Sequence, residues 1–240
     1  MSEPARGVVI TGAAGDLGRA LCQRFLADGM TVFGADLAPQ AASAAGRLVP
    51  VRVDVTDRQQ MFDLAERAAA ETRLEAWVNA AGIFVAGPVS GADEATWQRI
   101  LAVNLGGTFH GCAAALQVLM RAGGGRIVNV GSVSGQVGGV GVHPAYGASK
   151  AGVHALTKTY ALEGARHGVL CNAVAPGLLE GSMSLEFGDG ARERLAHANP
   201  LRRFGRMDEV AHVIRFLADP ANTYMNGAIV PVNGGAYMPS

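Results

Sequence analysis

Gly7-Val8-Val9-Ile10-Thr11-Gly12-Ala13-Ala14-Gly15-Asp16-Leu17-Gly18 is the stretch that decides the fold. A short β-rich run over 7–11 gives way to glycines at 12, 15 and 18, and then to a helical pattern over 17–27. A glycine-rich turn from strand to helix lets the backbone approach a pyrophosphate, and the helix N-terminus favours its negative charge. Alone this is a weak signal, because many turns are glycine-rich. The alternation continues along the chain, however. Strands are expected over 31–35, 48–53, 76–79, 126–130, 169–174 and 228–232, with helices over 58–70, 93–120 and 145–165. Asp93 is the expected N-cap of the long helical stretch, and Gly106 and Gly107 are expected to bend it. The pattern predicts an α/β fold: one Rossmann-type, doubly wound parallel sheet of about seven strands with helices on both faces. Ligands of such sheets sit beyond the carboxyl ends of the strands.

The chain has 240 residues, enough for one domain with a large core, and residues 1–240 are read as one unit with no second domain. Twenty basic residues balance twenty acidic ones, so no strong field points to nucleic acid or an anionic membrane. No apolar run approaches the roughly 18 residues that span a bilayer, and the start Met1-Ser2-Glu3-Pro4-Ala5-Arg6 lacks a signal-peptide pattern. Cys22, Cys112 and Cys171 are scattered, without metal or redox spacing, and are read as buried thiols in a reducing cytoplasm.

Polar residues recur at the expected strand ends. Asp36 ends the second strand, where an acid can bind both hydroxyls of an adenosine ribose and would repel a 2′-phosphate; a helix cap is the other reading. Asp54-Val55 follows the third strand and either holds an adenine or caps a helix. Asn79-Ala80-Ala81-Gly82 ends the fourth with small residues that permit close approach. Tyr146-Gly147-Ala148-Ser149-Lys150 places a phenol and an ammonium one helical turn apart, on one face. Tyrosine alone, with a pKa of about 10, is a poor base at neutral pH, and a nearby cation favours its phenolate. Ser132 precedes the pair, in Gly131-Ser132-Val133-Ser134-Gly135.

With these motifs in this order, the chain resembles a classical short-chain dehydrogenase/reductase along essentially its whole length. It resembles most the branch containing 3-oxoacyl-carrier-protein reductases and bacterial secondary-alcohol dehydrogenases. The family pattern T-G-x-x-x-G-x-G corresponds to Thr11, Gly12, Asp16 and Gly18, with Asp16 standing where the family has glycine. The asparagine-rich family motif after strand four appears as 79–82, with Ala80 in place of a second asparagine. Pro176-Gly177 matches the motif that lies against the nicotinamide, and Gly181 with Ser182 stands where relatives often carry a threonine for the carboxamide.

The resemblance implies a catalytic set of four. Ser132 binds the substrate oxygen, Tyr146 is the general acid/base, Lys150 lowers the tyrosine pKa and binds the nicotinamide ribose, and Asn104 holds a water of the proton relay. It implies cofactor contacts at Gly12, Asp16, Leu17, Gly18, Asp36, Asp54, Val55, Asn79, Gly82, Tyr146, Lys150, Pro176, Gly177 and Leu179, with NAD as cofactor and no metal. The implied activity is hydride transfer between NAD(H) and a secondary alcohol or ketone. An NADPH-dependent 3-oxoacyl thioester reductase and a non-catalytic dinucleotide-binding scaffold are the alternatives. Residues 181–199 are expected to form a substrate lid, and a loop within 136–143, bearing Val137, Val140 and Val142, to reshape the pocket for a mostly uncharged ketone. Resemblance also implies a homotetramer, with the two long helices packing across a two-fold through Ala148, Ala151, Gly152 and Ala155.

Overall fold

Successive side chains on a strand point to opposite faces, so a strand apolar at every position must be covered twice. The first strand, β1 (Arg6–Thr11), is of this kind: Val9 packs into one core, Val8 and Ile10 into the other. The structure is a computed structural model and describes residues 4–38, 41, 46–139 and 141–239. Val140 and the N-terminal residues 1–3 therefore lie outside the described residues.

Six further strands follow: β2 (Thr31–Asp36), β3 (Leu48–Arg52), β4 (Arg73–Asn79), β5 (Gly125–Val130), β6 (Val169–Pro176) and β7 (Ile229–Val232). They form one parallel sheet in the order β3-β2-β1-β4-β5-β6-β7. This is the expected doubly wound sheet of seven strands. The order reverses between β1 and β4, which opens a crevice at their carboxyl ends.

Helices α1 (Asp16–Ala27) and α9 (Met207–Leu217) cover one face, where Leu21, Phe25, Ile214 and Leu217 meet Ile10, Val78 and Val128. Helices α2 (Arg58–Glu71), α4 (Gly107–Arg121) and α6 (Pro144–Ala165) cover the other, where Met61, Leu119 and Ala161 meet Phe33, Trp77 and Ile127. Fully burying each such large side chain is worth about 1.5–3 kcal/mol. Cys22, Cys112 and Cys171 are buried, and none of them forms a disulfide.

The expected helix over 93–120 divides. Asp93 caps α3 (Glu94–Ile100), its carboxylate accepting from the Thr96 N–H at 2.8 Å. A π-helical segment, Leu101–Gly106, then leads into α4. Gly106 and Gly107 keep helical dihedrals at the junction of this segment with α4. Gly107 is there for packing, since a Cβ would stand 2.6 Å from Val55 Cγ2. Between β5 and α6 lies a short helix, α5 (Ser134–Val137); after β6 come α7 (Ser182–Leu185) and α8 (Asp189–Ala198), within the segment expected as a lid.

Candidate active site

The turn from β1 to α1 is close-packed as well as flexible. Gly12 has φ +68° and a Cβ there would lie 2.7 Å from Ala81 Cα; a Cβ on Gly18 would lie 2.0 Å from the Gly12 carbonyl oxygen. Thr11 locks the turn to β4, its hydroxyl accepting from the N–H groups of Ala80 and Ala81 at 3.2 Å each. Gly15 is the N-cap of α1 and supplies no side-chain bond, so the first N–H groups face the cleft without a protein side-chain cap. At the end of β2 the Asp36 carboxylate accepts from the Ala14 N–H (3.0 Å) and the Ala38 N–H (3.1 Å), which aims it along the cleft. Asp54 accepts from the Thr56 N–H (2.9 Å) and hydroxyl (2.7 Å), while the cap of α2 is Asp57.

At the other end of the crevice α6 begins at Pro144 and carries Tyr146 and Lys150 one turn apart. Lys150 is buried and donates to the Val130 carbonyl at 2.8 Å; its Nζ stands 5.8 Å from the Tyr146 ring centre. Ser132 sits just beyond β5 and lines the same cleft as Tyr146, and its hydroxyl accepts from the Ser134 N–H at 3.1 Å. Burial lowers the Lys150 pKa to about 8. Burial raises that of Tyr146, against a smaller lowering by the neighbouring Ser132 hydroxyl. The expectation that Lys150 pulls the phenol below its ordinary range is therefore not met. The ammonium is turned toward Val130, and removing the phenolate from water outweighs the hydroxyl that favours it.

A cavity of about 510 Å3 joins these ends. It brings together Gly12, Asp16, Leu17, Gly18, Asp36, Asp54, Val55, Gly82, Ser132, Tyr146, Lys150, Pro176, Gly177 and Leu179, all anticipated from sequence. Two anticipated residues do not line it. Asn79 turns into the core, where it donates to Asn129 Oδ1 (2.8 Å) and accepts from the Trp77 indole N–H (2.8 Å). Asn104 sits in the π-helical segment and is fully buried. Its amide accepts from the Ile83 N–H (2.8 Å) and donates to the Ile83 carbonyl (3.0 Å) and to Ser149 Oγ (3.2 Å), and Ser149 donates to the Tyr146 carbonyl (2.7 Å). Asn104 is thus a positioning residue that staples the loop after β4 to the turn of α6 bearing Tyr146.

Asp16 is at the first position of α1, and its carboxylate reaches across the cleft to Ser182, as described below. Phe84 was missed: it packs edge-on against Tyr146 at 5.1 Å and lies 5.5 Å from Phe187. An aromatic two residues past Gly82, in an otherwise small-residue segment, was the available signal. Among the described residues there is no cluster that could hold a metal and no helix long and apolar enough to cross a membrane.

The residues present fit a dinucleotide: the glycines leave no room for side chains between turn and cleft, the start of α1 is open, and a carboxylate stands at the far end. Comparison with known proteins agrees. A family model described as enoyl-(acyl carrier protein) reductase matches residues 12–237. The chain is 36% identical over 236 residues to the 3-oxoacyl-(acyl-carrier-protein) reductase FabG of Thermotoga maritima, covering 95% of this chain and 96% of that protein. It is 38% identical over 239 residues to the cis-4-hydroxycyclohexanecarboxylate dehydrogenase of Sinomonas cyclohexanicum, covering 96% of each. The solved structure of ElxO with NADP bound superposes with a TM-score of 0.85 at 26% identity, over 97% of this chain and 98% of that one. The chain belongs to the short-chain dehydrogenase/reductase family, whose members bind a nicotinamide dinucleotide, and it is an oxidoreductase acting on alcohol and ketone groups.

Proposed function

We propose that the protein interconverts a small to medium, mostly uncharged secondary alcohol and its ketone with NAD(H), using Tyr146 as proton donor and acceptor. The observation that carries this reading is one cleft holding Ser132, Tyr146 and Lys150 at one end and the Asp36 carboxylate at the other. When bound, the nicotinamide dinucleotide supplies or accepts the hydride. Ser132 and Tyr146 direct their hydroxyls at the carbonyl oxygen, where charge grows during reduction. Tyr146, kept protonated by burial, gives its proton to that oxygen and takes it back in oxidation. Lys150, with a pKa near 8, is a cation at neutral pH and holds the floor of the site through Val130.

Substrate polarity is argued from the walls. Phe84, Val142, Met183, Phe187 and Leu195 line the Tyr146 end, and Lys150 is the only cation among the described cleft-lining residues. Arg203, a candidate for docking an acyl carrier, is paired with Glu209 at 2.7 Å, and Arg206 with Asp208 at 3.0 Å. Residues 181–199 act as the lid, with α7 and α8 closing over the nicotinamide end of the cleft. We also place the enzyme in the cytoplasm, on three buried cysteines that form no disulfide, and read it as a homotetramer. The latter is supported by an apolar groove between the π-helical segment and α6, lined by Leu101, Leu105, Phe109 and Leu156.

The test is a panel of neutral cyclic and aryl-alkyl ketones, sugars and 3-oxoacyl thioesters, assayed with NADH and NADPH. Asp36 would crowd a 2′-phosphate, so kcat/KM should favour NADH at least tenfold, about 1.4 kcal/mol. NADP in the ElxO structure marks the competing cofactor. Equal use of NADPH, together with best turnover on the thioesters, would replace this reading by that of a thioester reductase. No turnover with any of them would favour a scaffold.

A further inference from the structure

Asp16 lies at the first position of α1, where the dipole and the free N–H groups favour an anion. Its carboxylate does not wait there for a ligand. Oδ2 accepts from the Ser182 N–H at 2.7 Å and from the Ser182 hydroxyl at 2.8 Å, across 166 residues of sequence. Oδ1 accepts from Arg19 at 3.1 Å. Ser182 opens α7, the first helix of the segment 181–199. The residue before it makes the approach possible: Gly181 has φ +140°, and a Cβ there would stand 2.7 Å from Asp16 Oδ2 and 2.8 Å from Met207 Cε. Both Asp16 and Ser182 line the cleft. The contact therefore joins the cofactor turn directly to the segment that covers it.

We propose that the Asp16–Ser182 contact is a latch: Asp16 is a positioning residue that holds the 181–199 segment closed and so sets the rate at which the dinucleotide leaves. This rests on the reading of 181–199 as a lid and of the cleft as a dinucleotide site. The physical reasons are three. Two charge-assisted bonds from one carboxylate oxygen are stronger than neutral ones. Ser182 bonds hold the Asp16 pKa below its ordinary value, so the latch keeps its charge at neutral pH. Finally, a fixed negative charge beside a pyrophosphate would by itself weaken binding, so tying it to Ser182 and Arg19 spends that charge on closure.

Three variants separate latch from charge. Asp16→Asn removes the charge and one acceptor; Ser182→Ala removes the hydroxyl bond; Gly181→Ala wedges the contact apart and leaves the charge in place. Stopped-flow release of NADH, followed by its fluorescence, should quicken at least fivefold in Asp16→Asn and Gly181→Ala. The double variant Asp16→Asn with Ser182→Ala should release no faster than Asp16→Asn alone. In the cofactor-free protein, limited proteolysis within 181–199 should quicken in the same variants, with KM for the cofactor rising more than kcat falls. Slower release in Asp16→Asn with unchanged proteolysis would leave only a repulsive charge and overturn the latch. So would unchanged release and proteolysis in Gly181→Ala, or multiplicative effects of Asp16→Asn and Ser182→Ala. If the wild-type protein binds no NADH, the dinucleotide reading fails, while the proteolysis arm still decides whether Asp16 holds the segment.

Discussion

His154, one turn beyond Lys150 on α6, gives the fold a predictable sensitivity to acid. It is 8% exposed, and its Nε2 has no hydrogen-bond partner. The loop bearing Ser132 folds directly over the ring: a Cβ on Gly131 would lie 2.3 Å from Nε2, and one on Gly135 2.9 Å from Cε1. The glycines bring no acid to offset a charge, and Lys150 and Lys158, one turn to either side, repel it. Desolvation first, then these lysines, push the imidazole pKa from 6.5 down to about 4. The unfolded chain binds this proton below about pH 6.5, the folded chain only below about 4, so stability is complete above the window and falls through it as pH drops. The difference sets a ceiling of about 3 kcal/mol, and about 2 kcal/mol of it is lost by pH 5. Carboxylates such as Asp16 and Asp219, whose pKa values are held below 3.8, lose their contribution at lower pH, outside this range. Urea unfolding at pH 7 and pH 5, followed by circular dichroism, would measure it. The wild-type protein should lose about 2 kcal/mol more between the two than His154→Gln, which cannot titrate. The other five histidines are common to both and cancel. Equal losses in the two proteins would refute the reasoning and mean that the ring finds water or an acceptor when charged.

Tyr146→Phe keeps the ring against Phe84 and deletes the acid, so kcat should drop about 100-fold or more while NADH still binds; near wild-type turnover would remove Tyr146 from the chemistry. Because Lys150 loses its proton near pH 8 in the free protein, kcat/KM for NADH should decline above about pH 8. A profile flat to pH 10 would place the ammonium in a wetter site than its burial implies. Gly18→Ala would put a Cβ 2.0 Å from the Gly12 carbonyl, which only a backbone shift relieves, so stability should fall by about 1–3 kcal/mol or more, read from the urea midpoint; an unchanged midpoint would show the turn to be pliable.

These expectations draw on two kinds of information. The doubly wound sheet, the glycine turn and the Tyr146–Lys150 pair were legible in the chain because each is written in a local period. Strands buried on both faces read as apolar runs, a strand-to-helix turn needs its glycines within eight residues, and a four-residue interval puts two side chains on one helical face. The division of the long helix by a π-helical segment was not legible, and within that segment Asn104 takes both polar groups of Ile83, twenty-one residues away. Nor was the orientation of strand-end side chains. Asn79 could face the cleft or the core, and the core won because Trp77, Cys112 and Asn129 converge there, the last from fifty residues on. Asp16 stands in the glycine turn, yet its bonds reach Ser182, 166 residues on, and Phe84 matters only because α6 and the 181–199 segment bring Tyr146 and Phe187 to it. Local periodicity fixed which elements form and which residues share a face. Which partner each polar or aromatic side chain takes was left to tertiary structure, because hydrogen bonds and ring contacts act over a few ångströms between groups that the sequence holds tens to hundreds of residues apart.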